Sequence, residues 1–181
     1  MGSASSRTTT AATATSVSGA IVFTDISGFT EFTALQGDDH ALEVLNTQAR
    51  VVTESLPAGA RVVKELGDGL LLWFPDGPSA VVTSLDLQDR FENEIELPLW
   101  VRIGVHCGTA LMKGTDLVGH DVNVASRILD IAGPGEVLAS ESTRLSVEGR
   151  VPGVCFDELG PVVMKGIPEP VRLWRATKER A

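Results

Sequence analysis

The chain has 181 residues, a hydrophobic content of 43% and a net charge of −9, which together predict a single acidic globular domain. The negative charge argues against nucleic-acid binding, and no apolar stretch approaches the roughly 18 residues of a membrane span. Cys107 and Cys155 lack metal-ligand spacing, which argues against a zinc site or a disulfide framework, and reduced thiols fit a cytoplasmic protein.

The first 18 residues are small and polar and consist largely of Thr, Ala and Ser. Such a low-complexity segment cannot bury enough apolar surface to offset the entropy that folding would cost. We therefore predict that residues 1–18 are a disordered tail, native or left by cloning. Residues 19–178 are expected to form the folded domain.

The first half of this domain contains two predicted strand regions and one helix. The apolar run Ala20–Asp25 predicts a strand, because a turn-like Ile-Ser-Gly follows it. A helix is predicted over His40–Ser55, where apolar residues recur at spacings of three and four. The side chains expected to face the core from this helix are Leu42, Leu45, Ala49 and Val52. Arg61–Leu66 and Leu70–Phe74 then flank Gly-Asp-Gly, which predicts an antiparallel hairpin.

The second half begins with a helix predicted over residues 76–93. Leu99–Gly108 alternates between apolar and polar residues and predicts a strand, with Cys107 on its apolar side as a buried thiol. A third helix is expected to start at Asp121 or Asn123 and to end at Ile131. A short strand at residues 136–140 and a final hairpin over residues 154–174 complete the pattern.

The order of these elements predicts an α+β fold with a ferredoxin-like βαββαβ core, an additional C-terminal helix and further strands. The sheet of this fold is antiparallel and carries its helices on one face. Since the sequence offers no further helices for the opposite face, we expect a second subunit to cover it.

Asp25 ends the first predicted strand, and Asp68 lies in the turn of the hairpin. If the two strand ends are neighbours, the carboxylates would repel each other unless a cation lies between them. Oxygen ligands without a nearby His or Cys favour Mg²⁺ or Mn²⁺. The alternative is that Asp68 is only a turn residue and Asp25 only a helix cap.

Asn123 and Arg127 are one helical turn apart and therefore share a face of the third helix. An amide and a guanidinium on one face suit the oxygens of ribose and phosphate. From the spacing alone, an exposed helix with Asn123 as its cap is the better interpretation. Lys64 precedes the Gly-Asp-Gly turn, Asp116 precedes the third helix, and Lys165 lies in VVMKGIPEP.

Together these segments resemble the class III nucleotide cyclases, the catalytic domain of adenylyl and guanylyl cyclases. The matching stretches are FTDISGFT, KELGDG, RIGVHCG and TDLVGHDVNVASR, and they follow one another in the order of the family. The resemblance spans about residues 18–175 and implies a homodimer with two active sites at its interface.

In such a dimer, the resemblance implies that Asp25, Asp68 and the backbone carbonyl of Ile26 bind two Mg²⁺ or Mn²⁺ ions. Lys64, Asp116, Asn123 and Arg127 would come from the other subunit, with Asn123 and Arg127 as the catalytic pair. The positions expected to bind phosphate are Lys165, Gly28, Phe29 and Thr30. A surface role for Lys165 is an equally good interpretation.

The same resemblance assigns Lys64 and Asp116 to recognition of the base. Lysine only donates hydrogen bonds and ionised aspartate only accepts them, which matches N1 and the N6 amine of adenine and mismatches guanine. We therefore expect ATP as the substrate and 3′,5′-cyclic AMP and pyrophosphate as the products.

Two departures from the family pattern are visible. Only seven residues, TALMKGT, separate Gly108 from Asp116, where many members have a longer arm that contributes to the dimer, and Val118 replaces a common aromatic residue. A cyclase-like domain that binds nucleotide without turnover remains the alternative. A dehalogenase-like phosphatase would need an acid at Ser27, and a diguanylate cyclase would need a GG[DE]EF hairpin in place of ELGDG.

Overall fold

The computed structural model describes residues 14–94 and 100–179. Residues 1–13 of the predicted tail and Leu99, the expected first residue of a strand, lie outside this part of the chain. The strands of the described residues are β1 (Thr15–Ile26), β2 (Arg61–Leu66), β3 (Gly69–Phe74), β4 (Val101–Lys113), β5 (Asp116–Val118), β6 (Val137–Ser140), β7 (Val154–Val162) and β8 (Val171–Lys178). The helices are α1 (Phe29–Gln36), α2 (Asp38–Ser55), α3 (Gly77–Asn93), α4 (His120–Ile131) and α5 (Glu141–Val147).

The strands form one sheet in the order β2-β3-β1-β4-β6-β8-β7, and the short β5 pairs with β4. β1 lies between β3 and β4 and is antiparallel to both, and β2 is antiparallel to β3. Strands β1–β4 with α2 and α3 thus form the predicted ferredoxin-like core. The C-terminal additions are also confirmed, and β6 joins β4 in parallel while β7 and β8 are antiparallel.

Helices cover both faces of the sheet. One face packs on α2 and α3 through residues such as Val22 and Phe74, and the other packs on α4 through residues such as Ile21 and Leu129. The expectation that the second face has no helix of its own is therefore wrong. α4 reaches this face because Gly104 lacks a side chain, and a Cβ atom there would lie 2.5 Å from the backbone nitrogen of Leu129.

The buried face of α2 differs from the prediction by about one residue. Leu42, expected in the core, has 58% of its surface exposed, whereas Ala41 and Val44 are buried. The apolar pattern was misleading because two polar residues of this helix, Thr47 and Gln48, also face the core. Polar side chains at core positions weaken the hydrophobic periodicity from which a helical face is predicted.

β1 begins at Thr15, so the end of the predicted disordered tail is in fact part of a strand. Residues 15–18 pair with the second half of β4, and Ser18 and Thr109 place their hydroxyl oxygens 3.3 Å apart. Backbone ladder hydrogen bonds do not depend on side-chain hydrophobicity, which explains why composition alone gave the wrong boundary.

Three short elements were absent from the sequence-based interpretation, namely α1, β5 and α5. α1 has eight residues and none of them is fully buried, although Phe29 and Phe32 pack against the core, so its apolar pattern is too short to predict a helix. α5 is capped by Ser140, which accepts a hydrogen bond from the backbone nitrogen of Thr143. In the described part of the chain, no helix is both long enough and apolar enough to cross a membrane.

Candidate active site

Asp25 lies near the end of the interior strand β1, opposite Gly69 of β3 and Arg102 of β4. The hairpin that contains Asp68 can approach this strand closely because residue 69 is glycine. A Cβ atom at Gly69 would lie 2.6 Å from the backbone oxygen of Thr24, which is too close for any side chain. The two aspartates are therefore neighbours, as predicted, because β3 pairs with β1 and because Gly69 permits the close approach.

Arg102 forms an ion pair with Asp25 that the sequence analysis missed. Its Nε and Nη2 atoms donate to the same carboxylate oxygen, Oδ2, at 2.8 and 2.6 Å. Asp25 is not a helix cap, because α1 starts at Phe29 after Gly28 and has no side-chain cap hydrogen bond. A signal for Arg102 was available, since an arginine on the polar side of a central strand needs an anionic partner.

Asp68 occupies the β2–β3 turn and is half-buried. Burial raises the pKa of its carboxyl group, and the charge of Asp25 raises that pKa further. The backbone oxygen of Asp68 accepts hydrogen bonds from the backbone nitrogen of Ile26 at 3.3 Å and from Nε2 of Gln48 at 3.4 Å. The turn is thus held to both β1 and α2, and its carboxylate is kept near that of Asp25.

A cavity of about 360 Å³ opens beside these carboxylates. It contains all the positions predicted to bind metal, and all those predicted to bind phosphate except Lys165. Its lining residues are Asp25, Ile26, Ser27, Gly28, Phe29, Thr30, Glu31, Asp68, Arg102, Ala132 and Pro134. The first turn of α1 forms one wall, and the backbone N–H groups at the start of a helix suit an anion.

The donor set of the cavity fits a hard divalent cation. Asp25 and Asp68 offer carboxylate oxygens, and Ile26 adds a backbone carbonyl. Within residues 14–94 and 100–179, no group of three or more His, Cys, Asp and Glu side chains could hold a metal ion. The two carboxylates would therefore need additional oxygen ligands from the backbone, from water or from a bound phosphate.

Lys64 and Asp116 meet at a second place on the molecule. The Nζ atom of Lys64 donates to Oδ2 of Asp116 at 2.8 Å, and this hydrogen bond lowers the pKa of the Asp116 carboxyl group. A β-bulge between Val62 and Lys64 shifts the pairing of β2, so that Lys64 lies opposite Leu71. Leu71 faces α4, and the bulge therefore directs Lys64 to the same face of the sheet.

Asn123 and Arg127 lie on α4, one turn apart as predicted. Asn123 is exposed and is not the helix cap, because the helix begins at His120 after Gly119. The expected start at Asp121 or Asn123 was one to three residues late. The guanidinium group of Arg127 donates to Asp130 of the same helix at 2.6 Å.

A polar network ties the first turn of α4 to β4. Asp121 accepts a hydrogen bond from the backbone nitrogen of Thr109 at 2.6 Å, and its other oxygen lies 3.6 Å from Nε2 of His106. Nδ1 of His106 lies 2.8 Å from the hydroxyl of Ser140. Burial lowers the pKa of His106, and the nearby charge of Asp121 partly offsets this effect. Gly108 leaves room for Asp121, since a Cβ atom there would lie 2.2 Å from the carboxylate.

The structure does not bring every predicted site residue into one place. Lys165 is exposed between β7 and β8 and does not line the cavity. None of Lys64, Asp116, Asn123 and Arg127 is among the residues that line it. Cys107 and Cys155 are both free, as expected, but Cys107 is half-buried rather than fully buried.

Known proteins resemble this chain in sequence and in fold. The family model of the adenylate and guanylate cyclase catalytic domain matches residues 79–177, more than half of the chain. The pH-sensitive adenylate cyclase of Mycobacterium tuberculosis is 29% identical over 161 residues, which cover 87% of this chain and 40% of that protein. The chain thus spans about two fifths of the length of the first curated relatives that it matches.

Two solved structures show how widely the fold is shared. The adenylyl cyclase CyaB from P. aeruginosa has a TM-score of 0.82 at 21% identity, over 92% of this chain and 97% of that chain. The guanylate cyclase domain of RhGC from Catenaria anguillulae, solved in complex with GTP, has a TM-score of 0.78 at 20% identity, over 92% and 100%. The fold alone therefore does not distinguish an adenylyl from a guanylyl enzyme.

Proposed function

The chain belongs to the family of adenylate and guanylate cyclase catalytic domains, and we propose that it is an adenylyl cyclase. It would convert ATP to 3′,5′-cyclic AMP and pyrophosphate. The observation that carries this proposal is the Lys64–Asp116 pair, whose Nζ and Oδ2 atoms lie 2.8 Å apart. A donor and an acceptor held side by side, at positions where the family reads the base, favour adenine.

The hydrogen-bond chemistry of the bases explains this preference. Adenine presents an acceptor at N1 next to a donor at N6, and guanine presents a donor at N1 next to an acceptor at O6. Lys64 can only donate and ionised Asp116 can only accept, so with Lys64 at N1 and Asp116 at position 6 guanine would set donor against donor and acceptor against acceptor. An aspartate is ionised at neutral pH, as this role requires, and the hydrogen bond from Lys64 lowers the pKa of Asp116 further. A mismatch of this kind discriminates by orders of magnitude.

Asp25, Asp68 and the carbonyl of Ile26 are the groups that would hold two Mg²⁺ or Mn²⁺ ions. Ions bound there would supply acidity for the ribose 3′-hydroxyl and would offset charge on the pyrophosphate. Arg102 lines the same cavity, so its guanidinium group can reach anionic oxygens placed there.

The remaining residues would position the substrate. The backbone of Gly28, Phe29 and Thr30 would bind the triphosphate at the start of α1, with Lys165 as a further candidate. Asn123 would orient the ribose so that its 3′-oxygen bonds to the α-phosphorus as the bond to pyrophosphate breaks. Arg127 would stabilise the negative charge that develops there. Its exposed ion pair with Asp130 is worth only about 0.5 kcal/mol and does not prevent this role.

We also propose that two copies of the chain share each site. The metal-binding and base-reading groups lie in separate places on one chain, so a partner that supplies the second set would complete the first. Exposed apolar side chains lie near the base-reading pair, with 43% of Leu66, 45% of Leu111 and 41% of Val118 accessible. Such side chains suit burial against a partner.

The test is to measure cyclic nucleotide formation from ATP and from GTP, with Mn²⁺ and with Mg²⁺, at several protein concentrations. We expect cyclic AMP from ATP, and we expect specific activity to rise with concentration because the sites form on dimerisation. Cyclic GMP as the main product would refute the role of Lys64 and Asp116. No product from folded, dimeric protein would favour a cyclase-like domain without turnover.

A further inference from the structure

We propose that Arg102 competes with a divalent cation for Asp25, so that the cation and the nucleotide triphosphate bind with positive coupling. This inference rests on the proposed function, because it assumes that Asp25 is a metal ligand. The competition concerns a single atom. Both N–H donors of Arg102 point to Oδ2 of Asp25, at 2.8 and 2.6 Å, and the same carboxylate is needed for the cation.

The position of Arg102 is fixed by the sheet. Arg102 and Asp25 lie directly opposite each other on β4 and β1, where cross-strand side chains are in direct contact. The side chains are 31% and 19% exposed, so the ion pair is partly shielded from water. Shielding and two hydrogen bonds make this pair harder to break than an ordinary surface ion pair. A cation that takes Oδ2 of Asp25 must therefore displace a well-held guanidinium group.

Charge explains why a triphosphate would help in this displacement. The positive charge of Arg102 acts on Asp68 as well as on Asp25 and partly neutralises both carboxylates. A divalent cation approaching them also meets the guanidinium charge, which opposes binding. If Arg102 turns to phosphate oxygens in the same cavity, both carboxylates are left to the cation. Thermodynamic linkage then requires that the cation favour triphosphate binding by the same factor.

Mn²⁺ binding, followed by electron paramagnetic resonance, tests the inference without any turnover. Affinity for Mn²⁺ is measured for the unmodified chain and for Arg102→Met, each with and without a non-hydrolysable ATP analogue. We expect Arg102→Met to bind Mn²⁺ alone about tenfold more tightly, within the range of ordinary coupling effects. The analogue should increase Mn²⁺ affinity markedly in the unmodified chain and much less in the variant.

Two further variants guard against indirect effects. Arg102→Lys keeps a cation but loses the paired donors, so its Mn²⁺ affinity should fall between those of the other two proteins. Arg172→Met removes an arginine that pairs with Glu158 on β7–β8, away from the cavity, and should leave Mn²⁺ binding unchanged. Thermal unfolding of each variant establishes that the fold is kept.

The outcomes separate the inference from the function on which it rests. The competition would be overturned if Arg102→Met and the unmodified chain bound Mn²⁺ with equal affinity, or if the analogue increased that affinity equally in both. Either result would leave the metal site in place. If Asp25→Asn binds Mn²⁺ as well as the unmodified chain does, or if no protein binds Mn²⁺ even with the analogue, the metal assignment itself fails. Tighter binding in Arg102→Met that depends on Asp25 supports the competition.

Discussion

The cavity of Asp25 and Asp68 and the Lys64–Asp116 pair are built in different ways. Asp25 lies on an interior strand of the sheet, and its side chain is 19% exposed. Lys64 lies on a bulged edge strand and Asp116 on a strand of three residues, and their side chains are 49% and 37% exposed. Asp25, one of the two groups proposed for metal chemistry, is thus held by a regular interior strand, whereas both groups proposed to choose the base lie on short or bulged strands.

This difference follows from what each region must do. Two carboxylates near each other need a rigid frame and a counter-charge, which the central strands and Arg102 provide. A base-reading pair needs only one donor and one acceptor, and substitutions on an exposed edge disturb little packing. The contrast predicts that substitutions in the cavity affect turnover as a whole, whereas those at the pair affect the choice of substrate.

The largest effect is expected from Asp25→Asn. Loss of a metal-binding carboxylate should reduce cyclic AMP formation by about three orders of magnitude, while the fold is retained. Activity with Mn²⁺ and Mg²⁺, together with a thermal unfolding curve, measures this. Asp157→Asn, on exposed strand β7, is the matched control and should keep full activity. Undiminished turnover by Asp25→Asn would remove this residue from the mechanism.

Complementation tests whether the two regions act across subunits. Asp25→Asn and Asn123→Ala should each be nearly inactive, and their mixture should regain about a quarter of normal activity, because half of randomly exchanged dimers are mixed and each mixed dimer has one intact site. Activity is measured after incubation that permits subunit exchange. Two preparations of the same variant, mixed identically, form the control. If exchange is demonstrated and activity stays at background, the sites are not shared.

A double substitution at the exposed pair should change specificity rather than catalysis. Lys64→Glu with Asp116→Gly replaces the donor by an acceptor and removes the other acceptor, and the ratio of ATP to GTP turnover should fall about a hundredfold. The kcat/KM values for both nucleotides measure this ratio. Lys113→Glu reverses the charge of a lysine opposite Asp116 and should leave the ratio near its original value. An unchanged ratio in the double variant would show that the pair does not read the base.

Much of the fold could be predicted because its signals are local. The hairpin around Gly67 and Asp68, the alternation of β4 and the periodicity of α3 all appear in the structure close to their predicted positions. The covered second face could not be predicted, because the packing of α4 on β4 depends on a contact between Gly104 and Leu129 that is distant in sequence. The polar residues Thr47 and Gln48 hid the true face of α2 in the same way.

The candidate site shows a similar division. Asp25, Asp68, Lys64 and Asp116 could be selected as candidates because they stand in short motifs. Arg102 was passed over as the polar side of a strand, although it is the direct partner of Asp25. Motif spacing gives the residue types at a site, but which charges meet depends on strand register, and the sequence does not give the register directly. The bulge that directs Lys64 is a second example.

The smallest expected effect is on the pH dependence of the free energy of unfolding, through His106, which lies beside Asp121 of α4. Burial lowers the pKa of His106 below 6.5. The charged neighbours are Asp121, which raises this pKa, and His120, which lowers it. The unfolded chain therefore binds more protons than the folded chain as pH falls below about 6.5. The free energy of unfolding should fall as a result, by at most about 1.4 kcal/mol per pH unit.

His106→Gln removes this titration while keeping an amide that can bond to Ser140 or Asp121. Urea unfolding between pH 7.5 and 5.5 should give a shallower slope for this variant. His40→Asn, which replaces an exposed histidine of α2, is the matched control, and equal slopes for His106→Gln and the unmodified chain would show that His106 does not govern this dependence.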